Sequence, residues 1–197
     1  ENLLDVMKAG MERVEIVKGP QGTSFGASSM GGLIRYVSGD PSLGSFGAHV
    51  SADLSSIAHG GSGQRYTGSL NAPIVNERLG VKLSGYYEDV GGFIDRLPSA
   101  VGGAAKDVNG YENQGGMLKL HGNLGDRFSV SLLGLYDETT FHGRNVVALN
   151  GTGPGGGPPF GLAAGPYDTD TAYSDDKSEF KVGGLTLRYE FGLADLI

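Results

Sequence analysis

No cysteine occurs among the 197 residues, so no disulfide staples the fold and no thiolate is on hand as a nucleophile. No apolar run approaches the ~20 residues that a membrane-crossing helix needs. The opening residues Glu1-Asn2-Leu3-Leu4-Asp5 lack the basic start and apolar middle of a secretory leader. Positive charge is short as well: Lys and Arg number 15 against 22 Asp and Glu, for a net charge of −7. With no basic patch to neutralise phosphates, nucleic acid is not expected as a partner.

The signatures of catalysis are missing too. Gly-Lys-Ser/Thr occurs nowhere, which removes a phosphate-binding loop. Ser24 to Gly32 is too short for a dinucleotide fingerprint, and a strand pattern comes after it where a helix should. No Ser-His-Asp or Cys-His arrangement can be argued. His49, His59, His121 and His142 are scattered, without ligand spacing. Asp168, Asp170, Asp175 and Asp176 lack the spacing of a calcium-binding EF-hand and read as a solvated acidic loop. No catalytic residue, metal site or cofactor is expected.

What the chain has in excess is glycine, 36 residues against a usual share of about 7%. It follows no collagen-like period. One concentration lies in MERVEIVKGPQGTSFGASSMGGLIRYVS, Met11 to Ser38. Val14 to Lys18 alternates apolar and charged residues and reads as a short strand. Gly19-Pro20-Gln21-Gly22 suits a type I turn. Gly26 to Gly32 holds only small residues and Met30, a run that lets backbone approach backbone closely. Leu33 to Val37 reads as a second strand, broken by Asp40-Pro41. Residues 1–10 are weakly helical at best.

From about Gly44 the pattern changes to alternating segments divided by turn residues. Ala48, Val50, Ala52 and Leu54 oppose His49, Ser51, Asp53 and Ser55. Tyr66, Gly68, Leu70, Ala72 and Ile74 oppose Arg65, Thr67, Ser69 and Asn71. Gly116, Leu118, Leu120, Gly122 and Leu124 oppose Met117, Lys119, His121 and Asn123. Leu185, Leu187, Tyr189 and Phe191 oppose Thr186, Arg188 and Glu190. Phe128 to Tyr136 alternates less cleanly, because Leu133 and Leu135 interrupt its polar side.

The connectors are His59–Gly63, Asn76–Leu79, Phe93–Glu112, Gly125–Arg127, Phe141–Lys177 and Gly192–Leu193. The second, fourth and sixth are tight, while the third and fifth are long. Short turns at one end and long loops at the other are the pattern of an outer-membrane barrel, whose strands need only ~9–11 residues. Tyr86, Tyr87, Phe128, Tyr189 and Phe191 near segment ends fit interfacial girdles. A soluble β-sandwich or β-helix also alternates, and periodicity alone leaves that alternative open.

Met11 to Ser38 further resembles the last part of the plug domain of TonB-dependent outer-membrane receptors. The matching residues are Glu12, Arg13, Val14, Glu15, Ile16, Val17, Lys18, Gly19 and Pro20, then Gly26, Gly31, Gly32, Ile34 and Val37. Lys18 stands where arginine is usual, which keeps the charge and loses the forked guanidinium. The resemblance implies an all-β fold: an antiparallel transmembrane β-barrel portion, about seven strands of a larger barrel, preceded by the end of a small α+β plug. Residues 1–40 would be the C-terminal part of the plug and 41–197 the N-terminal part of the barrel. The chain would then be a piece of a longer one, lacking the segment that binds TonB.

The function so implied is active uptake of a scarce solute, such as a ferric siderophore, across the outer membrane of a Gram-negative bacterium. The implied partners are the TonB energy-transducing complex, a small-molecule ligand such as a ferric chelate, and outer-membrane lipid. Arg13 and Glu15 are the implied lock between plug and barrel wall. Lys18, Gly19, Pro20, Gly31 and Gly32 complete the plug motif, and ligand-binding residues are unassigned. The alternative from another class is a β-rich adhesin or structural protein, soluble or surface-exposed, with glycine-rich binding loops such as Gly151 to Pro166.

Overall fold

A computed structural model describes residues 11–20, 31–97, 103–143, 167–169 and 175–191. The strands are β1 (Met11–Lys18), β2 (Gly32–Ser38), β3 (Gly47–Ser56), β4 (Ser62–Val75), β5 (Leu79–Val90), β6 (Asp95–Arg96), β7 (Tyr111–Asn123), β8 (Phe128–Phe141), β9 (Asp168–Thr169) and β10 (Asp176–Tyr189). The fold is all-β, with no helix among the described residues. β1 and β2 pair as a separate antiparallel hairpin. Six long strands form one antiparallel sheet in the order β10-β8-β7-β5-β4-β3. It is an open meander, with β3 and β10 as its edges.

The connectors explain the meander. Arg78 N donates to Val75 O at 3.0 Å in the turn after β4, and Leu124 N donates to Phe128 O at 2.8 Å in the turn after β7. Both turns are too short for anything but an antiparallel return. Six long strands stand where about seven are expected. The last connector, Gly192–Leu193, and residues 194–197 lie outside the described residues. So do residues 1–10 and most of the small-residue run Gly26–Gly32.

Register gives the sheet two unlike faces. One row across it reads Ala48, Leu70, Leu83, Leu118, Gly134 and Gly183. The adjoining row reads Ala72, Val81, Leu120, Leu132 and Leu185. Neither row holds a charge. On the opposite face one row reads Asp53, Arg65, Glu88, Asn113, Thr139 and Ser178. Exposure runs against the habit of soluble proteins, in which apolar side chains are the buried ones. Val50 is 81% exposed and Leu185 64%, while Asn113 and Thr139 are 1% exposed. Ile94 and Met117 are the buried apolar side chains among the described residues.

The long connectors are tied to one another. Asn109 Oδ1 accepts from Phe93 N at 2.7 Å and from Ile94 N at 2.8 Å. Asp95 Oδ1 accepts from Asp107 N at 3.1 Å, which closes this loop on itself. Asp95 N donates to Tyr167 O at 2.8 Å, and β6 pairs with β9 in parallel. The Tyr167 ring stacks on His59 at 5.5 Å and meets Phe93 edge-on at 6.4 Å. Asn109→Ala would leave two backbone amides without their acceptor, a loss of about 1–3 kcal/mol. Hydrogen exchange should then speed up at Phe93 and Ile94 while β5 and β7 stay protected, and Asn109→Asp should restore protection. Unchanged exchange in Asn109→Ala would show that the carboxamide does not hold the loop.

Candidate functional site

The polar face of the sheet is where the hairpin is joined to it. β1 alternates because Val14, Ile16 and Lys18 oppose Tyr36, Ile34 and Gly32, while Arg13, Glu15 and Val17 oppose Val37, Arg35 and Leu33. Gly32 has φ +132°, and a Cβ there would lie 2.6 Å from the Val17 carbonyl oxygen. Only glycine closes the hairpin at that point. Gly19 also has a positive φ, +87°, and Gly31 has open space around it. Lys18 and Pro20 are exposed.

Arg13 and Glu15 are the expected lock between the two parts. Arg13 donates to Glu12 and to Glu15 at 2.8 Å each, and Arg35 donates to Glu15 at 3.2 Å. These contacts stay on the hairpin. They hold the Glu15 carboxyl below its ordinary value, chiefly through the Arg13 hydrogen bond.

The contacts that tie the end of the hairpin and the linker to the sheet run through Lys119 and Asn71. Lys119 Nζ, on β7, donates to the Ser38 carbonyl at 2.8 Å and to Ser38 Oγ at 3.1 Å, and pairs with Asp40 Oδ1 at 2.8 Å. The Lys119 side chain is only 12% exposed, so three oxygens around one ammonium are needed to offset its burial. Asn71, on β4, accepts from Ser42 N at 2.8 Å and donates to Ser45 O at 2.7 Å. Glu77 N donates to Leu43 O at 2.9 Å. The linker from Ser38 to Ser45 is thus stitched along the polar face before it enters β3. Inside strands, a polar residue at every second position is ordinary, so nothing in the local pattern singles out Lys119 or Asn71.

Burial works to raise the Asp40 carboxyl. The Lys119 hydrogen bond and charge, with His121 and Arg188 further off, outweigh it and hold the carboxyl below its ordinary value. His121 lies on the same face, with Nδ1 2.8 Å from Ser131 Oγ. A cavity of about 970 Å³ opens at the short-turn end, lined among others by Asp40, Glu77, Arg78, His121, Arg127 and Arg188. Higher on this face Arg65 pairs with Glu88, and Tyr86 donates to Asp137. Among the described residues, no group of three or more His, Cys, Asp or Glu is placed to hold a metal ion.

No protein-family model, curated protein or solved structure matches the chain.

A depressed carboxyl strengthens the seam above the ordinary carboxylate range, and the contribution is lost as pH falls through the lowered value. Asp40 is 58% exposed, so the pair contributes no more than about 1 kcal/mol. In Lys119→Met the Asp40 carboxyl should titrate at higher pH than in the parent, followed by side-chain NMR. An unmoved titration would mean that Lys119 does not hold Asp40 in solution.

Proposed function

We propose that the chain is the end of the plug and the first barrel strands of a TonB-dependent receptor. In this reading the parent protein takes up a scarce solute, such as a ferric siderophore, through the outer membrane of a Gram-negative bacterium. It binds and gates, and does not catalyse. The observation that carries the reading is the inverted sheet: an exposed, uncharged apolar band on one face and buried polar side chains on the other. Such a band is costly in water and is what hydrocarbon requires.

Dimensions agree. From Phe128 to Tyr136 an extended strand rises about 26 Å, and a tilt of ~40° reduces this to about 20 Å, near the ~25 Å belt of such barrels, with Lys181 opposite Tyr136 as the charged edge of the band. Phe128 and Tyr189 are cross-strand partners at one end of the band, and Tyr66 and Tyr87 are partners toward the other, the placement of interfacial girdles. The polar face would then line the lumen, and the hairpin joined to it would be plug. The unpaired edges β3 and β10 would meet the remaining strands of a closed barrel. Pulling by the TonB complex would act on the plug side of the Lys119 seam.

The alternative, a water-soluble or surface-exposed adhesin, demands that the same band face solvent or a protein partner. Reconstitution into phosphatidylethanolamine–phosphatidylglycerol vesicles separates the two. Leu132→Arg should lower the inserted fraction, at a cost of about 2–4 kcal/mol for a charge near the bilayer centre. Thr186→Arg, on the polar face, should insert as the parent does. Equal insertion of both variants would sink the membrane reading. In detergent-free buffer the parent chain should aggregate, and a clean monomer peak in gel filtration would count against the same reading.

A further inference from the structure

Glu88, Asn113 and Thr139 stand directly opposite one another on the adjacent strands β5, β7 and β8. Their exposures are 6%, 1% and 1%. Each has one buried polar atom without a hydrogen-bond partner: Glu88 Oε2, Asn113 Nδ2 and Thr139 Oγ1. Such an atom costs about 1–3 kcal/mol, and native proteins keep few of them. A whole row of them on one face asks for something that binds there.

The neighbours decide what kind. Arg65 occupies Glu88 Oε1 and leaves Oε2 open. The Tyr86 phenol donates to Asp137 Oδ1, and its oxygen also lies 3.0 Å from the Asn113 carboxamide. A phenol has one proton, and an ionised carboxylate has none to give. The proton therefore belongs to the Asp137 contact. The Asn113 contact is then a hydrogen bond only when the amide nitrogen donates to the phenol oxygen. In that orientation Asn113 Oδ1 becomes the open atom. The row now offers a carboxylate oxygen, an amide carbonyl oxygen and a hydroxyl oxygen. The outer two of these three strands lie about 9.6 Å apart, so the longer Glu88 side chain has to reach over β7 for the three oxygens to share one ion at ~2.4 Å each.

We propose that Glu88, Asn113 and Thr139 form a site in the wall of the sheet for a hard divalent cation of the Ca²⁺ class. Asp137, one row away on the same face, adds negative charge. With Arg65 counted, the group carries one net negative charge, which a cation compensates. An all-oxygen donor set favours Ca²⁺ over zinc. Ser84 Oγ is also without a partner, but it lies two rows from Glu88 along β5 and takes no part.

The chain has no tryptophan, so tyrosine is the sensitiser for bound Tb³⁺, and Tyr86 touches Asn113 directly. With the chain in detergent micelles, Tb³⁺ emission excited through tyrosine should rise to saturation and be displaced by CaCl₂. Glu88→Gln should weaken Tb³⁺ binding by about tenfold or more, and Thr139→Val by less. Asn113→Asp should tighten it several-fold, a gain that an amide with a purely structural role would not give. Circular dichroism must show the sheet retained in each variant. Three results would overturn the site: no saturable emission at millimolar Tb³⁺, emission indifferent to Glu88→Gln, or emission lost only on replacing Asp175 and Asp176 in the acidic loop.

Discussion

Register is the constraint on which the rest depends. Side chains alternate with a period of two, so a slip of one residue between any two strands would send a whole apolar row to the polar face. The ladder from β3 to β10 runs in phase, with one irregularity between Pro73 and Val75. Proline has no N–H to give to a ladder. Its place near the end of β4 puts the defect beside a turn, below the rows that define the two faces.

Sidedness then makes the polar face usable. Lys119 and Glu88 are both largely buried there, one joined to the linker and the other to Arg65. Between their rows lies a short apolar patch in which Met117 is the cross-strand neighbour of both Ser84 and Leu135, and Leu135 in turn neighbours Val182. The patch and the Asp137 row beyond it set the hairpin seam three rows away from Glu88 and Asn113. Ion pairs held apart in this way respond to their own neighbours first, since coupling falls with distance.

Much of the sheet is legible in the sequence because alternation is a local property. The two faces of β3, β4, β7 and β10 come directly from their residue order, and short turns mark most of their ends. β8 is the obscure strand. Leu133 and Leu135 look like errors in the pattern, yet they face Lys119 and Met117 and supply part of the apolar patch on the polar side. The seam is not legible, for a different reason. A motif transfers residue types, and Arg13 and Glu15 have the right types, but which carboxylate an arginine meets is set by distance in three dimensions. Here Arg13 meets Glu12 and Glu15, and Glu15 meets Arg35, all within the hairpin. Asn109 is hidden likewise, since nothing local marks one loop asparagine as the acceptor of two amides.

Glycine shows how one residue type can serve unlike ends. In the hairpin it answers a backbone need at Gly32. In the sheet Gly115 answers a side-chain need as well as a backbone one. Tyr86, Gly115 and Asp137 stand opposite one another on β5, β7 and β8. The Tyr86 ring reaches Asp137 only by crossing over β7. A Cβ on residue 115 would lie 2.7 Å from the Tyr136 carbonyl oxygen, 2.8 Å from Tyr86 Cε1 and 2.9 Å from its hydroxyl oxygen. Alanine there would push the phenol aside, free the Asp137 carboxylate from it and release the Asn113 amide from its fixed orientation. The missing methyl group is therefore what allows the phenol to assign its single proton, and through it the oxygen that Asn113 leaves open.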